Sequence, residues 1–126
     1  MRGLALALAL AVTMTGGPAR AQPSAAVAKA DDLFKEGRAL LDAGNAAAAC
    51  PKFEESQRLD PGLGTLLNLA DCYERTGRLA SALSAFRSAE EEARRQGEKK
   101  REVAAADRAR ADDLSRTPLP SRNSPP

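Results

Sequence analysis

The chain of 126 residues contains no histidine and no tryptophan, and only three phenylalanines and one tyrosine. Histidine is the commonest general base and the commonest metal ligand in proteins, so its absence removes a candidate for both roles. The sequence also lacks metal-ligand spacing, a glycine-rich phosphate loop and a serine nucleophile motif. We therefore expect a protein that is not an enzyme, with no catalytic residues, no metal site and no cofactor.

Scarce aromatic residues and abundant alanine favour closely packed helices over a β-sandwich. Four stretches repeat apolar or small residues at helical spacing, and a fifth, more polar helix is predicted from Glu98 to about Leu114. The sequence thus predicts an all-α fold. The four inner stripes consist of Leu33, Gly37, Leu40 and Leu41; Ala46, Ala49, Phe53 and Ser56; Leu66, Leu69, Ala70 and Tyr73; and Leu79, Ala82, Leu83, Phe86, Ala89 and Ala93.

Residues 1–21 have the three parts of a secretory signal peptide. A basic start precedes the apolar stretch Leu4–Val12, which is too short to span a bilayer. The small-x-small sequence that ends at Ala21 predicts cleavage between Ala21 and Gln22. We expect an exported protein, periplasmic or secreted, without a membrane span in the mature chain; the alternative is an uncleaved anchor.

Removal of Arg2 and Arg20 with the signal peptide would leave 17 basic and 17 acidic residues. This balance argues against nucleic acid as the main partner, and the charged stretch 94–101 lacks the interleaved aromatic residues that stack on bases. The paired acidic residues are interpreted as solubility and helix-start charges; they are Asp31 and Asp32, Glu54 and Glu55, and Asp112 and Asp113.

The second pair of predicted helices repeats the first at a fixed offset of 33 residues. A period of this length is typical of stacked supersecondary units. The matched positions are Leu33 and Leu66, Gly37 and Ala70, Leu40 and Tyr73, Gly44 and Gly77, Ala49 and Ala82, and Phe53 and Phe86.

These residues resemble the tetratricopeptide repeat, which has small residues where paired helices cross, a turn glycine and an aromatic residue in the second helix. More narrowly, the chain is similar to exported repeat proteins of Gram-negative envelopes. The sequence departs from the repeat pattern at Leu33 and Leu66, where a large aromatic residue is characteristic, and at Arg94, which stands at the position of Pro61.

The resemblance implies an α-solenoid of two antiparallel helix pairs followed by a capping helix at 98–114. The repeats cover about 30–62 and 63–96 within a helical domain at 29–114. A lead-in at 22–28 precedes this domain, and a disordered, proline-rich tail at 115–126 follows it.

The resemblance also implies a concave groove, lined by the first helix of each pair, that holds a peptide or helix of a partner protein. Phe34 and Arg38 stand where carboxylate-binding relatives have lysine and asparagine, so no clamp for a terminal carboxylate is predicted. Phe34 could instead belong to the core, and the polar positions could form a solvated helix face. By position, the groove residues are Phe34, Arg38, Leu41, Leu67, Asn68, Asp71, Glu74 and Arg75.

Two other functions stay open at this point. The chain could be the truncated repeat part of a longer envelope protein, or an accessory domain of an enzyme.

Cys50 and Cys72 are the only cysteines, and each lies 11 residues from Pro61. In antiparallel helices that flank this turn, the two residues reach the same height, so we predict a disulfide between them. The alternative is a pair of buried free thiols. Pro51 lies early in the second helix and is expected to loosen or bend its first turn without breaking it.

Overall fold

The computed structural model describes residues 22–118, and this part of the chain forms five helices and no strand. The predicted all-α class is confirmed. The predictions on residues 1–21 and on most of the tail lie outside the described residues. The helices are α1 (Ala25–Asp42), α2 (Ala46–Leu59), α3 (Leu63–Arg75), α4 (Leu79–Arg95) and α5 (Lys99–Arg116).

Helix α1 begins at Ala25, so most of the predicted lead-in is helical. Ser24 explains the earlier start, because its hydroxyl oxygen accepts a hydrogen bond from the Val27 amide at 3.3 Å and caps the helix. At the other end of the chain, α5 extends to Arg116, two residues beyond its predicted end. Both helices are therefore longer than the apolar stripes alone indicate.

The turn between the helices of each pair contains a glycine with positive φ. Gly44 has φ +79° and Gly77 has φ +72°, a region that other residues rarely adopt. Asn45 follows the first of these glycines, and its Oδ1 caps α2 by accepting from the Ala48 amide at 3.2 Å. Helix α2 then continues through Pro51 without a break, as predicted.

Each helix packs against the next helix in the chain, and α1 also touches α3. Since every connection spans three residues, consecutive helices run in opposite directions. The core has two parts. One part lies mainly between α1, α2 and α3 and consists of Leu41, Ala49, Cys50, Phe53, Leu69 and Cys72. The other lies between α3, α4 and α5 and consists of Leu63, Ala70, Ala82, Leu83, Ala85, Phe86, Ala89, Ala93, Ala105 and Ala109.

Cys50 on α2 and Cys72 on α3 form the predicted disulfide: their Cα atoms are 5.6 Å apart and their Sγ atoms 2.18 Å. Both residues are buried within the first core cluster. The bond connects the second helix of one pair to the first helix of the next, and so joins the two pairs covalently.

The interpretation of Asp112 as a solubility charge is wrong, because this residue is only 5% exposed. It shares the buried face of α5 with Ala109, three residues before it, and with Ala105, a further four residues before that. Its Oδ2 atom has no hydrogen-bond partner among residues 22–118. Burial raises the pKa of this carboxyl, and the nearby Arg108 partly opposes that effect.

Asp112→Asn is expected to raise the free energy of unfolding by about 1 kcal/mol at neutral pH, because it removes a buried, incompletely bonded charge. Since the pKa is raised on folding, the ionised group destabilises the fold at neutral pH. This penalty disappears as pH falls through the raised pKa towards about 3.9, the ordinary value. Urea denaturation from neutral to acid pH measures the difference between the two proteins.

The matched control is Asp113→Asn, which removes the same charge from the exposed neighbouring residue. It should change stability little at any pH. A stability difference for Asp112→Asn that stays constant across the pH range would contradict the role assigned to the buried charge.

Candidate functional site

A polar link joins α1 to α3 across the predicted groove. Arg38 Nη1 donates a hydrogen bond to Asn68 Oδ1 at 3.2 Å, and Asn68 Nδ2 donates to the Gly64 carbonyl at 2.8 Å. Asn68 thus uses both ends of its amide within the protein. The structure brings together two residues that were predicted separately from the two repeats.

A second polar link joins α3 to α5 through Arg108. Its guanidinium contacts Asp71 at 3.4 Å, donates from Nε to Glu74 at 3.0 Å, and lies 5.1 Å from the centre of the Phe86 ring. Asp71 also pairs with Arg75 at 2.9 Å. The sequence did not identify Arg108, because it belongs to a helix predicted only as a cap. The only indication in the sequence was a basic residue on the last helix together with the acidic residues Asp71 and Glu74 on α3.

Two cavities border these links. The first has a volume of about 510 Å³ and the second about 250 Å³. Residues of α1, the end of α2 and the start of α3 surround the first cavity: Val27, Ala28, Ala30, Asp31, Asp32, Phe34, Ser56, Asp60, Gly64 and Thr65, together with Pro23. The second cavity is lined by Leu67, Asn68, Asp71, Phe86, Ala104, Ala105 and Arg108.

Gly64 and Asn68 connect the two cavities, since Gly64 lines the first, Asn68 lines the second, and the two are hydrogen-bonded. A Cβ atom built on Gly64 would have no neighbour within 4 Å. The backbone is therefore open to the surface at this point. We call the surface formed by the two cavities and the Arg38–Asn68 link the α1–α3–α5 groove.

Phe34 was interpreted either as a groove residue or as a core residue, and its position fits both. Its half-buried ring meets Phe53 edge to face at a centroid distance of 5.9 Å, and it also lines the first cavity. Leu41 was predicted both in the α1 stripe and in the groove. It is 5% exposed and belongs to the first core cluster, so its place in the stripe is confirmed, and its place in the groove is corrected because it offers little surface to a partner. The α1 stripe is rotated from the predicted one, because Ala30, Gly37 and Leu41 are its buried residues.

The remaining predicted groove residues divide into two groups. Leu67, Asn68 and Asp71 are half-buried and line the second cavity. Glu74 and Arg75 line neither cavity. Glu74 serves as an ion-pair partner of Arg108, and Arg75 as a partner of Asp71, so their charges are largely satisfied within the protein.

On another surface, Tyr73 donates a hydrogen bond to Glu54 at 2.8 Å, and Arg78 lies 4.1 Å from the ring centre. Burial is the main cause of the raised pKa of Tyr73, and the Glu54 contact adds to it. These residues connect α2, α3 and the turn before α4, and we interpret them as structural.

The chemistry of the α1–α3–α5 groove is that of a binding surface: half-buried apolar side chains beside an amide, a guanidinium and carboxylates. Within residues 22–118, no group of three or more His, Cys, Asp or Glu residues is placed to hold a metal ion, and no helix has the length and hydropathy needed to cross a membrane. Comparisons with protein families, with curated proteins and with solved structures found no match for this chain.

Proposed function

We propose that this protein is an exported, non-catalytic interaction module of the tetratricopeptide type that binds a peptide or helix of a partner protein in the α1–α3–α5 groove. The observation that carries the proposal is the adjacency of the two cavities: Gly64 lines the first, and its hydrogen-bond partner Asn68 lines the second. A peptide needs side-chain pockets for specificity and polar groups nearby for its backbone.

The polar links across the groove suit this role. Asn68 is held by Arg38 and by the Gly64 carbonyl, which reduces the side-chain entropy that it loses when a peptide binds. Arg38 has further guanidinium donors beyond the one that contacts Asn68. A bound peptide carbonyl could accept from these donors.

The repeat assignment is supported by the two helix pairs, by Gly44 and Gly77 in equivalent turns, and by the Gly37–Phe53 contact at the first helix crossing. Export is supported by the Cys50–Cys72 disulfide, because such bonds persist mainly in oxidising compartments.

Gly64→Gln is expected to reduce partner binding by about tenfold or more, because it adds a large side chain to the lining of the first cavity, next to Asn68. The fold should persist, since the position is open and glycine is the weaker helix former. The measurement uses a photo-crosslinking amino acid at Leu67 in the native host, with crosslinked peptides identified by mass spectrometry.

The matched control places the same crosslinker at Ala47, an exposed residue of α2 outside both cavities. A single partner peptide should crosslink at position 67 and not at position 47. Leu67→Glu combined with Asn68→Ala provides a second test with a different chemical change. Because this variant replaces Leu67 itself, its capture is measured with the crosslinker at Ala104, an exposed residue that also lines the second cavity. Unchanged capture by both groove variants, with helical circular dichroism retained, would place the binding site elsewhere.

A further inference from the structure

The first cavity has an unbalanced charge. Its lining contains three carboxylates, Asp31, Asp32 and Asp60, and no lysine or arginine. Asp31 is paired with Lys35 at 2.6 Å. Among residues 22–118, no basic side chain lies within ion-pair distance of Asp32 or Asp60. Two carboxylates at this cavity therefore remain available to a cation.

The rest of the lining is suited to an aliphatic or planar group. Val27 and Ala28 provide apolar surface, and Phe34 presents part of its ring. Thr65 is 9% exposed, and its hydroxyl makes no hydrogen bond to any residue in the range 22–118. The Ser56 hydroxyl already donates a hydrogen bond to the Ala30 carbonyl at 2.8 Å. Thr65 is thus the hydroxyl that can still bond to a ligand.

The dipoles of two helix ends make smaller contributions, of opposite sign, to the electrostatic potential in the first cavity. The carbonyl end of α2 reaches the cavity at Asp60 and contributes negative partial charge. The amino end of α3 reaches it near Gly64 and contributes positive partial charge. Since these terms oppose each other, the side-chain carboxylates determine the sign of the local field.

We propose that the first cavity takes an arginine side chain of the partner peptide; this proposal rests on the function proposed above. The three-carbon stem would pack on Val27, and the planar guanidinium would stack on Phe34 while it pairs with Asp32 and Asp60. Arginine combines weak hydration, a flat face and several fixed donors, which this mixture of aromatic and carboxylate groups can use together.

The test uses two synthetic peptides, acetyl-Gly-Ser-Leu-Arg-Ser-Gly-amide and the same peptide with citrulline in place of arginine. Citrulline keeps the shape and removes the charge. Each peptide is titrated into the full mature protein and followed by amide chemical shifts. The arginine peptide should shift the amides of Ala28, Asp60 and Gly64 and bind about tenfold more tightly than the citrulline peptide. The preference should decrease between about 20 mM and about 300 mM salt.

Asp32→Asn combined with Asp60→Asn should weaken arginine-peptide binding to the level of the citrulline peptide. The matched control, Asp42→Asn combined with Asp113→Asn, removes the same charge from exposed residues outside the first cavity and should bind as the natural protein does. Unfolding midpoints of both double variants report whether the fold is retained.

Three results would overturn the proposal. Equal binding of the two peptides would indicate a neutral, apolar occupant. Unchanged binding by the Asp32 and Asp60 variant would place the arginine elsewhere. Concentration-dependent shifts of the same amides without peptide would indicate a second copy of this chain. Crosslinking at Leu67 distinguishes the arginine site from the proposed peptide-binding function. If a partner peptide is crosslinked but the arginine peptide binds no better than the citrulline peptide, only the arginine site is rejected. If the arginine peptide is preferred but no partner peptide is crosslinked, the peptide-binding function is rejected.

Discussion

Phe53→Ala is expected to lower the free energy of unfolding by about 3–5 kcal/mol, the usual cost of removing a large, fully buried side chain. Phe53 is 0% exposed and packs in the first core cluster. It also lies directly over Gly37, where a built Cβ atom would come within 2.8 Å of the ring. Since small domains are stable by only about 5–15 kcal/mol, this loss is a large share of the total. Urea denaturation of the oxidised protein measures it.

Two controls test whether the Phe53 ring is the cause. Phe34→Ala removes the same group from a half-buried position and should cost less. Gly37→Ala should destabilise the fold by overpacking against the ring, and the smaller side chain in Phe53→Leu should relieve part of that cost. Strict additivity of the Gly37→Ala and Phe53→Leu effects would contradict the close approach of these two positions.

Reduction of the Cys50–Cys72 disulfide is expected to lower the free energy of unfolding by about 3 kcal/mol. The two cysteines are separated by 22 positions in the chain, and the chain-entropy model gives this value for a loop of that length. Both cysteines are buried, so a reductant should act slowly on the folded protein and faster in denaturant. Unfolding curves with and without reductant, each taken to equilibrium, measure the difference.

The double variant Cys50→Ala, Cys72→Ala is the control, because its stability should not depend on reductant. It should lie near that of the reduced natural protein, with a further small loss from the deleted sulfur atoms. Intact mass after alkylation without reduction tests the bond itself. Two alkylated thiols in protein isolated without reductant would contradict the disulfide.

Much of the helical architecture could be predicted from the sequence because its determinants are local. Gly44 and Gly77 specify two turns, and the spacing of Phe53 and Phe86 from the small residues Gly37 and Ala70 specifies how each pair crosses. The disulfide was predictable for a similar reason, since two helices that meet at a short turn place equidistant residues at one height.

The candidate site was less predictable because it depends on how three helices meet. Helix α5 has few large apolar residues, so its sequence did not indicate that Asp112 would share the buried face with Ala105 and Ala109. The same uncertainty in rotation concealed Arg108, which reaches across to α3. Leu41 was assigned to both the core stripe and the groove, because adjacent Leu40 and Leu41 left the exact rotation of α1 open.

The packing of each helix on its neighbour in the chain has a consequence for the order of folding. Contacts that are close in sequence cost little loop-closure entropy, so chains built from them fold quickly. The α1–α2 hairpin contains most of its own contacts and can form while the rest of the chain is still extended. Because the Cys50–Cys72 loop encloses only most of α2, one turn and most of α3, it closes over a contiguous stretch of the chain. The helices of such a chain can therefore form and pack one after another from its amino end, before the last helix is in place.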